Sequence, residues 1–496
     1  MTDVSEHSAA ELAELISTGA VSSRELVGAT LERIAALNPR VNAVVTVDEE
    51  GALRQAEHCD RLRSARHDLG PLHGVPVTLK DCWATAGLRT TAGLAAWADH
   101  VPSADAVVVR RLRDAGAVIV GKTNLPAGVT GQETANSLFG RTGNPWDVTR
   151  TTGGSSGGAA AAVATGMAAL DVGSDSGGSI RQPASFCGVY GHMATGGTVP
   201  LRGHLPSVSV DDVGYVPDLT FAGPLAHTPD DLELALDVLA GPDTDAADAW
   251  RLDLPPARAT RLSEYRVALW LGDGTVPLAS AVVERLEQAA DALAAAGAQV
   301  RRDAGPALDF TDAERTGFAL WVSAASEDID DDSFAALQRQ AADSPPENFG
   351  RPARRARAAV MPHRDWLRLD AARRRLQRAW TVCFDQVDAV LCPISPVPAY
   401  PHDPEPGRVD DLDHRLSRTL DLDDRRRPYL DQLVWPTVVG LARLPATAVP
   451  LGLTPDGLPV GGQIVGPVYG DRTTMDLARR MAELTGGFQP PPALAD

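Results

Sequence analysis

The sequence predicts an α/β fold in which helices cover both faces of a β-sheet. Residues 117–120 form a continuous apolar run, Ala-Val-Ile-Val, which is typical of a strand buried on both sides. Residues 105–115 come directly before this run and carry apolar side chains at helical spacing. Because helix and strand alternate in this way, we interpret the chain as an α/β protein.

Two capping boxes mark the first helices of the chain. Ser8 and Ser22 are each followed three residues later by a glutamate, and apolar residues at helical spacing come next. A short strand over residues 41–47 and a helix over residues 49–66 complete this part. We expect no catalytic residue in it.

The middle of the chain, roughly residues 240–430, is rich in charged residues. It is predicted to open with a strand over residues 265–271 and a long helix over residues 279–296. We interpret its arginine runs as solvated helix faces, since aspartates balance them. Beyond it, residues 444–464 have the pattern of a hairpin, and residues 473–484 form a closing helix.

The composition is that of a soluble globular protein and argues against several classes of partner. A net charge of −19 disfavours both nucleic acid and anionic membrane surfaces, because these partners attract basic proteins. The five cysteines include no CxxC pair, which favours a reduced, intracellular protein without a metal site. No signal peptide opens the sequence, and no apolar run reaches the ~20 residues of a spanning helix. We therefore expect a cytoplasmic protein.

Three motif matches in the glycine-rich part of the chain are set aside. Residues 116–123 fit the phosphate-loop pattern, but the residues between its glycines read as a strand where that loop must bend. Residues 153–157 fit the elbow GxSxG but lack the apolar strand that precedes it. Residues 174–178 resemble the nucleophile loop of chymotrypsin-like proteases, whose fold is all-β. Nearby histidines are interpreted as structural: His73, His192 and His204.

A serine nucleophile with a lysine base is the chemistry that remains. Ser155 and Ser179 both lie among glycines, which let backbone N–H groups approach a ligand closely because they lack a Cβ atom. A serine hydroxyl needs a neighbouring base, and a lysine can be that base only when burial keeps it neutral. Lys80 ends the apolar run 75–79, which fits burial; the alternative is a surface lysine paired with Asp81.

A set of short motifs occurs in a fixed order over about residues 70–230 and 440–485. The motifs are residues 75–81, 121–124, 139–140, 144–146, 153–158, 177–184, 187–191, 222–225 and 457–461. Together they closely resemble the amidase signature family, although no single motif is specific. The resemblance implies the amidase signature fold, a large mixed and twisted β-sheet with helices on both faces.

Two apolar, glycine-punctuated regions flank the charge-rich middle, so we interpret residues 1–496 as a single amidase domain with a large insertion. Within it, residues 1–70 form an N-terminal helical layer and residues 71–235 the catalytic core. Residues 240–430 are the charge-rich insertion that shapes the substrate pocket, and residues 440–490 are the C-terminal part of the core.

The family's site residues can be carried over by position. The resemblance implies Ser179 as acyl nucleophile, Ser155 as a relay whose preceding peptide bond is cis, and Lys80 as base. It implies an oxyanion hole formed by the backbone N–H groups of Ser176, Gly177, Gly178 and Ser179. Substrate contacts are expected from Val129 and Ser155, and supporting roles from Asp175 and Arg181.

The implied activity is hydrolysis of a small-molecule carboxylic amide through an acyl-serine intermediate, which yields an acid and an amine or ammonia. Ester or carbamate cleavage and a homodimer are left open. One alternative is the glutamine-hydrolysing subunit of a tRNA-dependent amidotransferase, and another is an inactive binding protein on the same fold. No cofactor and no metal are implied. The expected partner is the amide alone, without nucleic acid or membrane.

The sequence departs from the family pattern directly after Gly191. His192, Met193 and Ala194 stand where the family usually has a lysine and a proline, which leaves the local loop shape open. Aromatic residues of the later part of the chain are candidates for the pocket wall, with burial in the core as the alternative: Trp321, Tyr400 and Trp435.

Overall fold

The main feature of the computed structural model is one 11-stranded sheet. The structure describes residues 4, 7–67, 69–206, 218–411, 414 and 417–492. Its strands are β1 (Val44–Val47), β2 (Pro76–Lys80), β3 (Val118–Thr123), β4 (Ala135–Asn136), β5 (Gly140–Arg141), β6 (Gly143–Asn144), β7 (Asp147–Thr151), β8 (Leu170–Asp175), β9 (Tyr190–Met193), β10 (Phe221–Ala226), β11 (Arg266–Leu269), β12 (Gln299–Arg301), β13 (Ala389–Pro393), β14 (Thr419–Leu422), β15 (Arg425–Pro428), β16 (Ala446–Leu453) and β17 (Pro459–Val465).

The main sheet is mixed. Its strands lie in the order β1-β3-β2-β8-β10-β9-β16-β17-β13-β11-β12, and the remaining strands pair as β4-β5, β6-β7 and β14-β15. Strand β2 runs parallel to both β3 and β8, and β11 runs parallel to both β12 and β13. From β8 to β13 in this order, each strand is antiparallel to the next.

The helices account for most of the remaining regular structure. They are α1 (Ala9–Thr18), α2 (Ser23–Val41), α3 (Glu49–Ser64), α4 (Val107–Asp114), α5 (Gly157–Ala164), α6 (Arg181–Cys187), α7 (Pro229–Leu239), α8 (Thr244–Ala247), α9 (Ser280–Ala295), α10 (Phe310–Ala324), α11 (Asp331–Asp343), α12 (Arg351–Ala359), α13 (His363–Gln386), α14 (Val434–Leu441) and α15 (Asp471–Thr485). The predicted capping boxes are confirmed, since Ser8 caps α1 and Ser22 caps α2.

Both faces of the sheet are covered, as predicted. Along β13, Ala389 and Leu391 pack into one hydrophobic cluster, whereas Val390 and Cys392 pack into another. Successive side chains of a strand point to opposite faces, so the two clusters lie on opposite sides of the sheet. Helix α9 contributes to the first cluster and α13 to the second. The predicted α/β fold class is therefore confirmed.

Strands of the charge-rich middle extend this same sheet. The predicted strand over residues 265–271 is β11, and the predicted helix over residues 279–296 is α9. The predicted hairpin is β16 with β17, which pair antiparallel. The division of the chain into four parts stays a prediction.

The parallel pairing of β2 with β8 determines where the site lies. Leu79 is opposite Val172, so the ends of the two strands, Lys80 and Asp175, lie at the same edge of the sheet. Helix α5 packs against both strands and begins just after Ser155. The two serine-containing loops and the lysine are thus brought to one edge.

Candidate active site

Lys80 and Ser155 are in direct contact. The Lys80 Nζ atom donates to the Ser155 Oγ atom at 2.7 Å and to the Ser174 Oγ atom at 3.0 Å. Lys80 and Ser155 are fully buried, with no exposed surface. The structure therefore brings together two of the three predicted catalytic residues, 75 positions apart in the chain.

Burial changes the protonation of this lysine. Removal from water lowers the pKa of Lys80 to about 8, although the nearby Asp175 and Asp171 carboxylates favour its charged form. With a pKa of about 8, roughly one lysine in ten is neutral at pH 7. A neutral amine hydrogen-bonded to a hydroxyl can act as its proton acceptor.

A second buried lysine lies nearby and was not predicted from the sequence as a feature of the site. Burial lowers the pKa of Lys122 to about 8 as well. Its Nζ atom donates to the Trp83 carbonyl and to the hydroxyls of Thr85 and Thr90, at 2.8 and 3.2 Å for the two hydroxyls. Among the described residues Lys122 bonds to no serine, so its contacts differ from those of Lys80.

Ser155 lies in a loop where the backbone is closely packed. The Gly154–Ser155 peptide bond is cis, as the resemblance implies. A Cβ atom at position 154 would lie 2.6 Å from the carbonyl oxygen of Gly131 and 2.8 Å from the backbone nitrogen of Glu133. Position 154 therefore accepts only glycine, which explains one of the glycines in the motif at residues 153–158.

Ser179 lies in the loop that joins β8 to α6. The backbone N–H of Ser156 donates to its carbonyl oxygen at 3.0 Å, so the two serine-containing loops lie side by side. Only 6% of the Ser179 surface is exposed. This exposure faces a cavity that Ser176, Gly177 and Ser179 all line.

Asp175 holds the Ser179 loop in shape. Its carboxylate accepts hydrogen bonds from the backbone N–H groups of Gly178 at 2.7 Å and Ile180 at 3.1 Å. The N–H of Gly178 therefore has a partner within the loop, and the oxyanion hole expected from Ser176, Gly177, Gly178 and Ser179 stays a prediction.

Asp175 and Arg181 form a buried ion pair beneath this loop. Arg181 donates to both carboxylate oxygens, at 2.9 and 3.0 Å, and neither side chain is exposed. Burial alone would raise the pKa of the Asp175 carboxyl, but the Arg181 guanidinium and the loop N–H groups bring it below its ordinary value. Arg181 also donates to Gln463 and to the Pro436 carbonyl. Asp175 and Arg181 therefore support the Ser179 loop from its buried side.

The cavity at Ser179 has a volume of about 230 Å³. Val129 lines it, and so do α10 residues Phe318 and Trp321 and the apolar residues Leu433 and Val434. A more open groove of about 720 Å³ on α11, α12 and α13 is lined by none of the predicted site residues. Of these two spaces, the cavity at Ser179 is therefore the one beside the predicted site residues.

Of the aromatic candidates, only Trp321 reaches this cavity among the described lining residues. Trp435 is fully buried in the core cluster that also contains α13 residues. Tyr400 is buried and donates to the Gln132 carbonyl at 3.1 Å. Sequence reasoning missed Phe318, because an apolar residue of a cavity wall follows the same spacing as a core residue.

The departure from the family pattern after Gly191 forms a regular strand. His192 and Met193 belong to β9, which pairs with both β10 and β16. The buried His192 ring bonds to Thr447 at 2.9 Å and to Asp471 at 3.1 Å. Met193 lies in the core. His192 and Met193 therefore make buried contacts within and beside the main sheet.

His204, interpreted from the sequence as structural, lines the cavity together with Ser179. Within the described ranges, no group of His, Cys, Asp or Glu side chains could hold a metal ion. None of the helices in that same part of the chain is both long and apolar enough to cross a membrane.

The comparisons with known proteins place this site in a family. The Amidase family matches residues 25–475 of the chain. The chain belongs to this family. A glutamyl-tRNA(Gln) amidotransferase subunit from Salinispora tropica is 33% identical to it over 525 residues, which cover 99% of this chain and 100% of that protein.

Two solved structures of this family are also similar to the chain. A bacterial aryl acylamidase belonging to the amidase signature enzymes has a TM-score of 0.82 at 25% identity, covering 99% of this chain and 98% of that chain. A glutamyl-tRNA(Gln) amidotransferase subunit from Thermotoga maritima has a TM-score of 0.75 at 27% identity, with the same shares covered. The predicted membership of the amidase signature family and its fold are confirmed, and the chain is an enzyme of that family.

The names of these relatives correct one expectation. The expectation of no nucleic-acid partner is wrong, because full-length relatives are named as subunits of an amidotransferase for glutamyl-tRNA(Gln). Net charge is a sum over the whole chain, so it describes neither a local surface nor the partners of an assembly. The relatives also favour the amidotransferase alternative over the small-molecule hydrolase. The cytoplasmic location stays a prediction.

Proposed function

We propose that the protein hydrolyses a carboxylic amide through an acyl intermediate on Ser179. The observation that carries this proposal is the 2.7 Å hydrogen bond between Lys80 and Ser155, beside the loop of Ser179. A buried lysine with a pKa of about 8 and two neighbouring serines supply a base, a relay and a nucleophile.

In the first step, Ser179 Oγ attacks the amide carbonyl carbon. Its proton passes to Ser155 Oγ, while the Ser155 proton passes to the neutral Lys80 amine. Negative charge develops on the carbonyl oxygen, and the N–H groups of Ser176, Gly177 and Ser179 stabilise it. The bond between Gly178 and Asp175 keeps this loop in place.

In the second step, the C–N bond breaks and the amine leaves. Ser155 gives its proton to the leaving nitrogen and regains one from the Lys80 ammonium. Water then attacks the acyl-enzyme with the same groups acting in the same order. The acid is released, and Ser179 regains its proton.

The relatives favour glutamine as the amide. Their names describe a component of a glutamyl-tRNA(Gln) amidotransferase. In this first candidate function, the chain would release ammonia from the glutamine side chain as part of an assembly that acts on tRNA.

The cavity favours a second candidate, a less polar small-molecule amide. No lysine or arginine is among the described residues of its wall, whereas the α-carboxylate of glutamine would need a cation. The acidic wall residues are already paired: Asp218 with Arg373 at 2.7 Å and Glu314 with Arg354 at 2.8 Å. The apolar wall around Trp321 suits an aromatic or alkyl group.

A labelling and turnover experiment tests the proposal. We expect a fluorophosphonate to label the protein, and Ser179→Ala to abolish both labelling and amide hydrolysis. Ser185→Ala is the matched control, because Ser185 is equally buried at 6% but bonds to the Gly461 backbone outside the cavity. Labelling that persists in Ser179→Ala would contradict the proposal.

Turnover by the wild-type protein distinguishes the two candidate substrates, glutamine and a less polar amide. Release of ammonia from glutamine is compared with release of aniline from an apolar anilide. Hydrolysis of the anilide without hydrolysis of glutamine favours the second candidate, and the reverse favours the first. A folded protein that neither labels nor hydrolyses would support the inactive binding protein instead.

A further inference from the structure

His204 is held next to the segment that carries the base. The Leu205 N–H donates to the Cys82 carbonyl at 2.7 Å, and the Ala84 N–H donates to the Gly203 carbonyl at 2.9 Å. These bonds fix residues 203–205 against the residues that directly follow Lys80. The backbone at His204 is therefore fixed relative to Lys80.

The His204 ring has one nitrogen atom, Nε2, without a hydrogen-bond partner among the described residues. It packs edge-on against Trp83, with ring centroids 4.9 Å apart and planes at 83°. Its Nε2 atom is buried and bonds to none of the described residues. The ring lines the cavity at Ser179. A buried polar atom without a partner costs free energy, which a ligand with a complementary group recovers.

The ring is neutral under ordinary conditions. Burial lowers the pKa of His204 to about 3, and the charge of Lys80 acts in the same direction. A neutral imidazole has one nitrogen that donates and one that accepts. It therefore suits an uncharged polar group, such as a hydroxyl, ether or amide, better than a carboxylate.

The location of His204 indicates which half of the substrate it meets. In the proposed reaction Ser155 protonates the leaving nitrogen, so the amine half lies on the side of Lys80 and Ser155. Residues 203–205 lie on that same side. Resting on the proposed function, we infer that His204 binds an uncharged hydrogen-bonding group on the amine half of the amide.

This role for His204 narrows the class of substrate. An amide that releases ammonia has no further group on its amine half and gains nothing from His204. The favoured substrates are N-substituted amides in which an apolar amine, of a size that the cavity accepts, carries a hydroxyl or a similar group.

A pair of anilides tests this inference. The two anilides share one acyl group, and one of them carries a hydroxyl on the aniline ring. The main variant is His204→Phe, which keeps a ring against Trp83 but has no nitrogen atoms. We expect it to lower the ratio of kcat/KM, hydroxyanilide over anilide, on the order of tenfold. His204→Gln should restore part of the ratio, since its amide donates and accepts.

Controls separate this result from a structural effect. A second pair with the hydroxyl on the acyl half should keep its ratio in His204→Phe. If His204→Phe does not fold, as judged by fluorophosphonate labelling of Ser179, His204→Leu replaces it. An unchanged ratio for the first pair, or an equal change for both pairs, overturns the inference.

Binding measurements keep the test independent of turnover. Calorimetry compares the Kd values of the two anilides in Ser179→Ala and in Ser179→Ala with His204→Phe. The same loss of preference, on the order of tenfold, is expected. Labelled protein that hydrolyses no amide refutes the proposed function, whereas an unchanged preference in binding refutes the role of His204.

Discussion

In the proposed mechanism the reaction depends on pH, because only the neutral form of Lys80 can accept a proton from Ser155. With a pKa of about 8, the neutral fraction is roughly one tenth at pH 7 and one hundredth at pH 6. We expect kcat/KM for an amide to rise about tenfold per pH unit below this value and to level off above it. The assay is kcat/KM from pH 6 to pH 9.5.

Two buried lysines with the same pKa shift allow a matched test. Lys80→Met should abolish most of the activity and the rise with pH, since the base is lost. Lys122→Met removes a lysine of equal burial that bonds to Trp83, Thr85 and Thr90 and, in the part of the chain that the structure describes, to no serine. It should keep the rise near pH 8. Loss of the rise in Lys122→Met, or a flat profile in the wild type, would refute the assignment of Lys80.

The same shift predicts a stability effect with a defined sign. The pKa of Lys80 falls from 10.5 to about 8 on folding, so the unfolded chain binds more protons between these values. The cost of burying Lys80, about 3 kcal/mol, is present in full below pH 8 and disappears as the pH rises to 10.5. Lys80→Met should therefore unfold less readily than the wild type at pH 7.

Three further substitutions test the Ser179 loop. Gly178→Ala would place a Cβ atom 2.7 Å from Pro436 at a φ of +98°, so we expect a loss of about 1–3 kcal/mol in unfolding free energy. Gly177→Ala meets nothing closer than 3.6 Å and should lose less. Asp175→Asn leaves the Arg181 charge buried without its partner, and denaturant titration at pH 7 should show a loss of about 3–5 kcal/mol. An Asp175→Asn protein as stable as the wild type would contradict this.

Much of the fold followed from local patterns. The apolar run at residues 117–120 lies in β3, and Ser8 and Ser22 cap the first two helices, because strand burial and helix capping depend on a few adjacent residues. The strand order could not be read in this way. It depends on contacts between distant segments, such as the pairing of β9 with β16.

The site was predicted in part, and what was missed has a physical reason. The resemblance pointed to Lys80 and Ser155, whose contact depends on the pairing of β2 with β8. His204 had no spacing signal, since its place depends on the packing of residues 203–205 against residues 82–84. Trp321 and Trp435 look alike in the sequence, yet only the first lies at the cavity, because helix orientation decides which side chain meets the substrate.

The bonds from Arg181 to Pro436 and Gln463 have a consequence for the biosynthesis of the protein. Gln463 follows Arg181 by 282 positions, and synthesis of that stretch takes roughly 15–60 s at 5–20 residues per second. Until then the guanidinium beneath the nucleophile loop lacks these two acceptors. A nascent chain on the ribosome therefore carries both serines and the lysine well before it carries these two acceptors.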